Sequence, residues 1–306
     1  VQTGMYVLQQ INPGGLGYNV CRCGMVSGDI KKERLAESIR KMIRRYETLR
    51  TSFHMINDRL VQRIHDHVDF EIEYYKAVNP ESPDRIIKEF VRPFDLSRAP
   101  LFRVGIIKLP STPGASTRGS SGNPPTPAAL RSHPSQEGIR NILMVDMHHI
   151  ISDGVSCHIL TRDFLDLHGE EQLSPLKVNY KDYSEWCHSA PRREAIKRQE
   201  SYWLNELGNE AIVLDLPTDY ARPSVQSFEG SNIHFEMDKE TVEVLKKLSL
   251  ETDATMYIIL LAIYTLFLAK VTGQEDIVVG SPIAGRRHAD LGKIIGMFVN
   301  TLAMRN

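Results

Sequence analysis

The stretch His148-His149-Ile150-Ile151-Ser152-Asp153-Gly154 lies between an apolar run and a segment of helical periodicity. The apolar run, residues 142–147, is interrupted only by Asp146, as is typical of a strand covered on both faces. Downstream, apolar residues recur at helical spacing, and Asp153 is in position to cap the first turn. The sequence therefore predicts a strand, a turn and a helix of an α/β fold, with two histidines where the strand ends.

The two histidines can carry proton chemistry, because the ordinary pKa of an imidazole is about 6.5. Neighbouring side chains of an extended strand point to opposite faces, so His148 and His149 are expected to have different roles. A buried structural histidine and a zinc site are the alternatives, but the His-Glu-x-x-His spacing of many zinc sites is absent, and we expect no metal. Asp153 could orient an imidazole, cap the helix or pair with an arginine, and we favour a structural role.

The segment Met147–Ser156, M-H-H-I-I-S-D-G-V-S, resembles the H-H-x-x-x-D-G signature of nonribosomal peptide synthetase condensation domains. That signature is similar to the one of chloramphenicol acetyltransferase. Four other segments resemble further motifs of the condensation domains, in the family's order: residues 1–8, 45–53, 180–186 and 295–305. Two positions depart from the pattern, since Gly4 stands where arginine is usual and Tyr46 where histidine is usual.

The resemblance implies an α/β fold of two chloramphenicol acetyltransferase-like lobes in a V-shaped pseudodimer, with a tunnel between them. Residues 1–175 would form the first lobe, and residues 176–306 a linker and a partial second lobe. The second lobe is expected to be incomplete, because the family's last two motifs do not follow Arg305. Residues 110–138 are rich in Pro, Ser, Gly and Thr, which predicts a disordered surface insertion between two strands.

The implied activity is formation of an amide bond. A carrier-bound aminoacyl or peptidyl thioester would be joined to the amine of a carrier-bound amino acid, and the signature favours the subtype that joins two L residues. His149 would act on the amine, as general base or as a positioning acceptor, with His148 beside it. Asp153 would pair across the lobes with Arg286, or failing that with Arg287. Gly154 would leave room for the carrier arm.

Five further positions are candidates for substrate binding or structural support. Arg45 and Arg50 end the helix that carries the second motif, and Ser156 follows the signature. Core packing is the favoured interpretation of Trp186, and Asn300 is a candidate for binding. These five complete the predicted site.

The resemblance also implies partners. They are upstream and downstream peptidyl carrier domains, which present substrates on 4′-phosphopantetheine arms, and an adjacent adenylation domain, in a pathway to a peptide antibiotic or other secondary metabolite. No directly bound cofactor is expected. The alternatives are a coenzyme A-dependent acyltransferase and a catalytically silent module that docks carrier proteins. Because two motifs are missing, we expect these 306 residues to have weak or no activity in isolation.

Composition excludes other classes of function. The formal net charge is −1 and no basic stripe with interleaved aromatic residues is present, so nucleic acid is not an expected partner. The apolar stretch Met256–Leu268 is 13 residues long, shorter than the ~20 residues that cross a bilayer, and is predicted to be a buried core helix. The 4 cysteines are expected to be free thiols of a cytoplasmic protein.

Local patterns predict other elements. Asp29 is expected to cap a helix that ends near Tyr46, and Asp238 to cap another. The alternation of Ile233, Phe235 and Met237 predicts a strand.

Overall fold

The computed structural model describes residues 1–79, 82–110, 140–208, 213–224, 230–231 and 233–306. The chain divides into two compact units, of which the first comprises Val1–Glu185 and Ala284–Val299, and the second Trp186–Ile283 and Asn300–Asn306. The predicted insertion 110–138 lies, apart from Pro110, outside the described residues. The lobe boundary at residue 175 stays a prediction.

The first unit is built on a four-stranded sheet in the order β1-β6-β5-β4. Its strands are β1 (Asn19–Ser27), β4 (Ile72–Lys76), β5 (Phe102–Lys108) and β6 (Arg140–His148). The β4–β5 pair is parallel, whereas the two pairs that flank β6 are antiparallel. A separate antiparallel hairpin joins β2 (Thr51–Ile56) to β3 (Arg59–Ile64).

The central strand β6 carries the predicted apolar run and is buried along most of its length, as its sequence indicates. Asp146 is the one charged residue within the apolar run 142–147, and it is fully buried. The guanidinium of Arg103 lies 3.1 Å from its carboxylate, and the Asn19 amide donates to the same oxygen at 2.9 Å. A charged residue is tolerated inside this strand because it is paired. Burial nevertheless raises the pKa of Asp146.

Helices cover the sheet and form the core. In the first unit they are α1 (Gln2–Ile11), α2 (Lys32–Arg45), α3 (Ser82–Phe90), α4 (Gly154–His168) and the start of α5 (Tyr180–His188). Helix α2 buries the stripe Leu35, Ile39, Met42 and Ile43, at the predicted helical spacing. The predicted cap at Asp29 is wrong. The N-cap is Lys31, two residues later, and it makes no side-chain capping bond.

The second unit contains α6 (Ala190–Leu207), α7 (Lys239–Thr252), α8 (Met256–Thr272) and the antiparallel strands β7 (Val278–Ile283) and β8 (Asn300–Arg305). Asp238 caps α7 as predicted, accepting a hydrogen bond from the Thr241 amide at 2.7 Å. The predicted strand over 233–237 is wrong, because these residues have no strand partner in the part of the chain that the structure describes.

Helix α8 is apolar on all sides, yet the prediction of a buried core helix is wrong. Only Ile259 and Leu268 are buried, and Leu266 and Phe267 are more than half exposed. The described elements of the second unit are too few to cover every face of this helix. None of the helices in the described part of the chain has, by itself, both the length and the apolar character of a membrane span. Helices α7 and α8 reach that length and apolar character only together, and the chain bends by 108° between them.

Candidate active site

The histidine pair lies where β6 meets α4. His148 ends the strand, a single 3₁₀ turn spans His149–Ile151, and α4 begins at Gly154. Asp153 is the N-cap of α4, and its carboxylate accepts a hydrogen bond from the Ser156 amide at 2.7 Å. The predicted sequence of strand, turn and helix is confirmed, as is the capping role of the aspartate.

His148 is fully buried, and both of its ring nitrogens are engaged. Its Nδ1 accepts a hydrogen bond from the Ile150 amide at 3.1 Å, which makes this side chain the cap of the 3₁₀ turn. Its Nε2 lies 3.3 Å from Gln9 Oε1. Burial, with a smaller contribution from His149, lowers the pKa of His148 to about 4. The residue is therefore a neutral imidazole at pH 7, held in one tautomer.

His149 differs from His148 in its exposure and in its hydrogen bonds. Its side chain is partly exposed, and its backbone amide donates to the Tyr18 carbonyl at 2.7 Å. Nδ1 is buried and has no hydrogen-bond partner within the described residues. The two histidines thus have different environments, as expected. Of the two rings, only that of His149 is partly exposed.

Asp153, Ser156 and Arg286 form a buried polar cluster beside the histidines. Nη2 of Arg286 lies 3.1 Å from Asp153 Oδ1 and donates to Ser156 Oγ at 2.8 Å. The Ser156 hydroxyl also accepts from the Gly296 amide at 3.1 Å, and Asp153 Oδ2 accepts from the Phe298 amide at 3.1 Å. The contact between Asp153 and Arg286 agrees with the expected pairing. Both residues belong to the first unit, so the contact lies within that unit and does not link the two units.

The remaining contacts of Arg286 hold the segment 284–299 in place. Its Nη1 donates to the carbonyls of Leu291 and Ile294, at 2.5 and 2.6 Å, and its guanidinium lies 3.9 Å from the centroid of the Phe298 ring. Arg287, the other candidate partner, is exposed. The cluster therefore anchors the fifth motif to the start of α4.

Gly154 is exposed, and a Cβ built on it would have no neighbour within 4 Å. The space in front of this residue is open. Clearance for a ligand and the ordinary use of glycine at a helix start are both compatible with this geometry.

Arg45 and Arg50 both contact structural groups. Nη1 of Arg45 donates to the Ser174 carbonyl at 2.8 Å, and its Nε lies 3.3 Å from Asp163. Nη1 of Arg50 donates to the His65 carbonyl at 2.5 Å. These contacts support the fold around the second motif, and they leave a role in substrate binding as a prediction.

Two candidates lie in the second unit. Trp186 is 49% exposed, with the Arg192 guanidinium 5.1 Å from the centroid of its ring, so the expectation of core packing is wrong. Asn300 begins β8, is exposed, and accepts a hydrogen bond from the Thr301 amide through its own Oδ1 at 2.9 Å. Their roles stay predictions.

Sequence reasoning missed two features of the site. The buried side chain of Gln9 contacts His148. The sequence does not predict this contact, because Gln9 and Gln10 are adjacent glutamines of one helix and neither belongs to a motif. The Tyr180 ring lies against Gly296, where a Cβ would come within 1.9 Å of Cδ2. Tyr180 and Gly296 belong to two separate motifs, and only their packing joins them. Among the described residues, no group of three His, Cys, Asp or Glu side chains could hold a metal ion.

The model of the Condensation domain family matches residues 1–113 and 128–306. Bacitracin synthase 3 of Bacillus licheniformis is 45% identical over 305 residues, which cover 100% of this chain and 4% of the synthase. Tyrocidine synthase 3 of Brevibacillus parabrevis is 43% identical, with coverage of 100% and 4%. Gramicidin S synthase 2 of Brevibacillus brevis is 41% identical, with coverage of 100% and 6%. The chain thus spans a small part of these relatives.

Solved structures share the fold. The X-domain from teicoplanin biosynthesis superposes with a TM-score of 0.81 at 21% identity, over 99% of this chain and 64% of that one. The first condensation domain of the calcium-dependent antibiotic synthetase gives a TM-score of 0.68 at 20% identity, with coverage of 99% and 66%. The predicted α/β fold of the condensation domains is confirmed. By its fit to the family model along nearly its whole length, this chain belongs to the condensation domain family.

Proposed function

We propose that the chain catalyses formation of an amide bond between two carrier-bound substrates, and that His149 is the residue that acts on the attacking amine. The observation that carries this proposal is the contrast within the histidine pair. His148 is buried, neutral and fully hydrogen-bonded, whereas His149 is partly exposed and has an unpartnered Nδ1 among the described residues. Membership of the condensation domain family supports the same reaction.

In the proposed step, the nitrogen of a neutral α-amine attacks the carbonyl carbon of an acyl thioester. A carbon–nitrogen bond forms and a zwitterionic tetrahedral intermediate develops, with positive charge on nitrogen. Loss of that proton and cleavage of the carbon–sulfur bond give the amide and release the donor carrier's thiol. An imidazole beside the amine stabilises the intermediate by accepting its proton or a hydrogen bond from it.

The open space at Gly154 leaves room for a thioester arm at the start of α4. The arm would be 4′-phosphopantetheine on carrier domains, upstream for the donor and downstream for the acceptor, next to an adenylation domain. We propose the subtype that joins two L residues. The ion pair between Arg286 and Asp153 fixes the start of α4. It thereby helps to hold His149 in one position relative to the bound substrates.

The test uses a synthetase polypeptide that contains these residues, with both carriers loaded, and follows dipeptidyl-carrier formation. His149→Ala is expected to lower the rate by about 10²-fold, the lower end of the range for loss of acid–base assistance. His158→Ala is the matched control, because His158 is an exposed histidine of α4. Undiminished product from His149→Ala would overturn the role of this residue. Turnover with a coenzyme A-linked donor in place of the loaded carrier would indicate a free acyltransferase.

A further inference from the structure

Gln9 of α1 is a buried polar side chain without a role in the mechanism above. It is 4% exposed, and its amide connects two parts of the first unit. Nε2 faces the carbonyl oxygens of Asn12, Pro13 and Gly15, at 3.4, 3.3 and 3.3 Å. A carbonyl oxygen in that place would meet only acceptors, so the amide has one favourable orientation, with Oε1 toward His148.

The orientation of Gln9 favours one tautomer of His148. Oε1 can only accept, so His148 must carry its proton on Nε2, 3.3 Å away. The other ring nitrogen leads to the same tautomer, because Nδ1 accepts from the Ile150 amide at 3.1 Å and must be unprotonated. The two independent contacts agree. Gln9 and the turn 12–15 thus hold His148 as the acceptor that caps the 3₁₀ turn.

The 3₁₀ turn begins with His149. The capping bond from His148 fixes one side of it, and the bond from the His149 amide to the Tyr18 carbonyl, 2.7 Å long, fixes the other. Tyr18 follows closely on the turn whose carbonyls hold Gln9, and its ring lies 5.8 Å from the His148 ring. Gln9 therefore contacts the His148 ring, which caps the 3₁₀ turn, and the segment 12–15, which ends three residues before Tyr18.

We infer that Gln9 is a positioning residue for the proposed reaction, which orients His149 by holding His148 in its Nε2–H tautomer. This inference rests on the proposed function, since it assigns the role through His149. It names a specific mechanism, the choice of tautomer, that packing alone would not require. A glutamine that merely filled space could be replaced by a methionine of similar volume at little cost.

The experiment compares Gln9→Met and Gln9→Glu with Gln10→Met and Gln10→Glu, because Gln10 is the next, exposed residue of the same helix. The first measurement is the ¹⁵N chemical shifts of the His148 ring across pH in the 306-residue chain. Unchanged protein is expected to show the Nε2–H form. Gln9→Glu places a carboxylate beside the ring, so His148 is expected to titrate at least one pH unit higher. The Gln10 variants are expected to leave the ring signals unchanged.

The second measurement is the rate of dipeptidyl-carrier formation in a synthetase polypeptide, with His149→Ala alongside. Gln9→Met is expected to lower kcat at least tenfold and to change KM less than threefold. The inference is overturned if the His148 ring signals and kcat both stay unchanged in the Gln9 variants. In that case a slow His149→Ala variant would still support the proposed function. A fully active His149→Ala would instead overturn the proposed function. If Gln9→Met does not fold, Gln9→Glu decides through the same two readouts.

Discussion

Two glycines of the family motifs differ in their surroundings, and this difference predicts that substitution by alanine destabilises the protein at one of them and has little effect at the other. Gly296→Ala would place a Cβ 1.9 Å from the Tyr180 ring, so the ring must move and its hydrogen bond to the Met297 carbonyl, 2.7 Å long, is strained. We expect a loss of about 3 kcal/mol in the free energy of unfolding, the upper range for overpacking. Gly154→Ala is expected to change it by less than about 0.5 kcal/mol. Urea unfolding of both variants measures the contrast, and equal effects would contradict it.

His148 predicts how stability depends on pH. Its pKa in the folded protein is about 4, below the ordinary value near 6.5, so the unfolded chain binds a proton that the folded chain does not. The free energy of unfolding should therefore fall as the pH is lowered from 6.5 towards 4, by about 3 kcal/mol for this group. Above pH 7 His148 does not contribute to the dependence of the unfolding free energy on pH.

Other groups titrate in the same window, so the contribution of His148 is measured as a difference between variants. His148→Gln is expected to remove most of this slope, and His158→Gln, on an exposed histidine, to leave it unchanged. Denaturant unfolding at intervals between pH 4 and 7 provides the data. Parallel curves for His148→Gln and the unchanged protein would show that the histidine does not contribute.

At the scale of elements, the bond between Asp153 and Arg286 joins the N-terminus of α4 to the segment 284–299. Both side chains are almost fully buried, so removing either leaves an unpaired buried charge. Asp153→Ala or Arg286→Ala should each cost about 3–5 kcal/mol of unfolding free energy. The double variant should cost clearly less than their sum, because it leaves no unpaired buried charge. Arg287→Ala is the control, on the exposed neighbour. Additive losses in the thermal or urea unfolding of the four proteins would refute the coupling.

The elements also show what the sequence can predict. β6, α4 and the cap at Asp153 follow from local patterns, because strand burial and helix capping depend on residues close in the chain. The exposure of α8 depends on which other elements cover it, which periodicity does not report. The same holds for Gln9, whose partners come from a turn and from the distant His148. Contacts between distant residues complete the site: the family motifs predicted the pairing of Asp153 with Arg286, whereas nothing in the sequence predicted the partners of Gln9.

On the scale of the whole molecule, strands β5 and β6 come together directly within the described part of the first unit. β5 and β6 are antiparallel neighbours with Lys108 opposite Asn141, and the Leu109 amide donates to the Arg140 carbonyl at 3.0 Å. The two strand ends are therefore as close as those of a hairpin, and a three-residue loop, Pro110 followed by two residues, suffices to join them. The pairing of these strands does not require a long connection.

We therefore expect that replacing residues 111–139 with Asn-Gly leaves the fold intact. Shortening a loop lowers the entropy of the unfolded chain, and each halving of loop length contributes only about 0.6 kcal/mol, so the free energy of unfolding should stay equal or rise by about 2 kcal/mol. Circular dichroism and urea unfolding measure the fold and the free energy of unfolding. The control variant replaces Asn57-Asp58, the turn of the β2–β3 hairpin, with Asn-Gly, and so tests the effect of the new turn by itself. A loss of sheet signal or of cooperative unfolding only when residues 111–139 are replaced would mean that this segment contributes to the packing of the sheet.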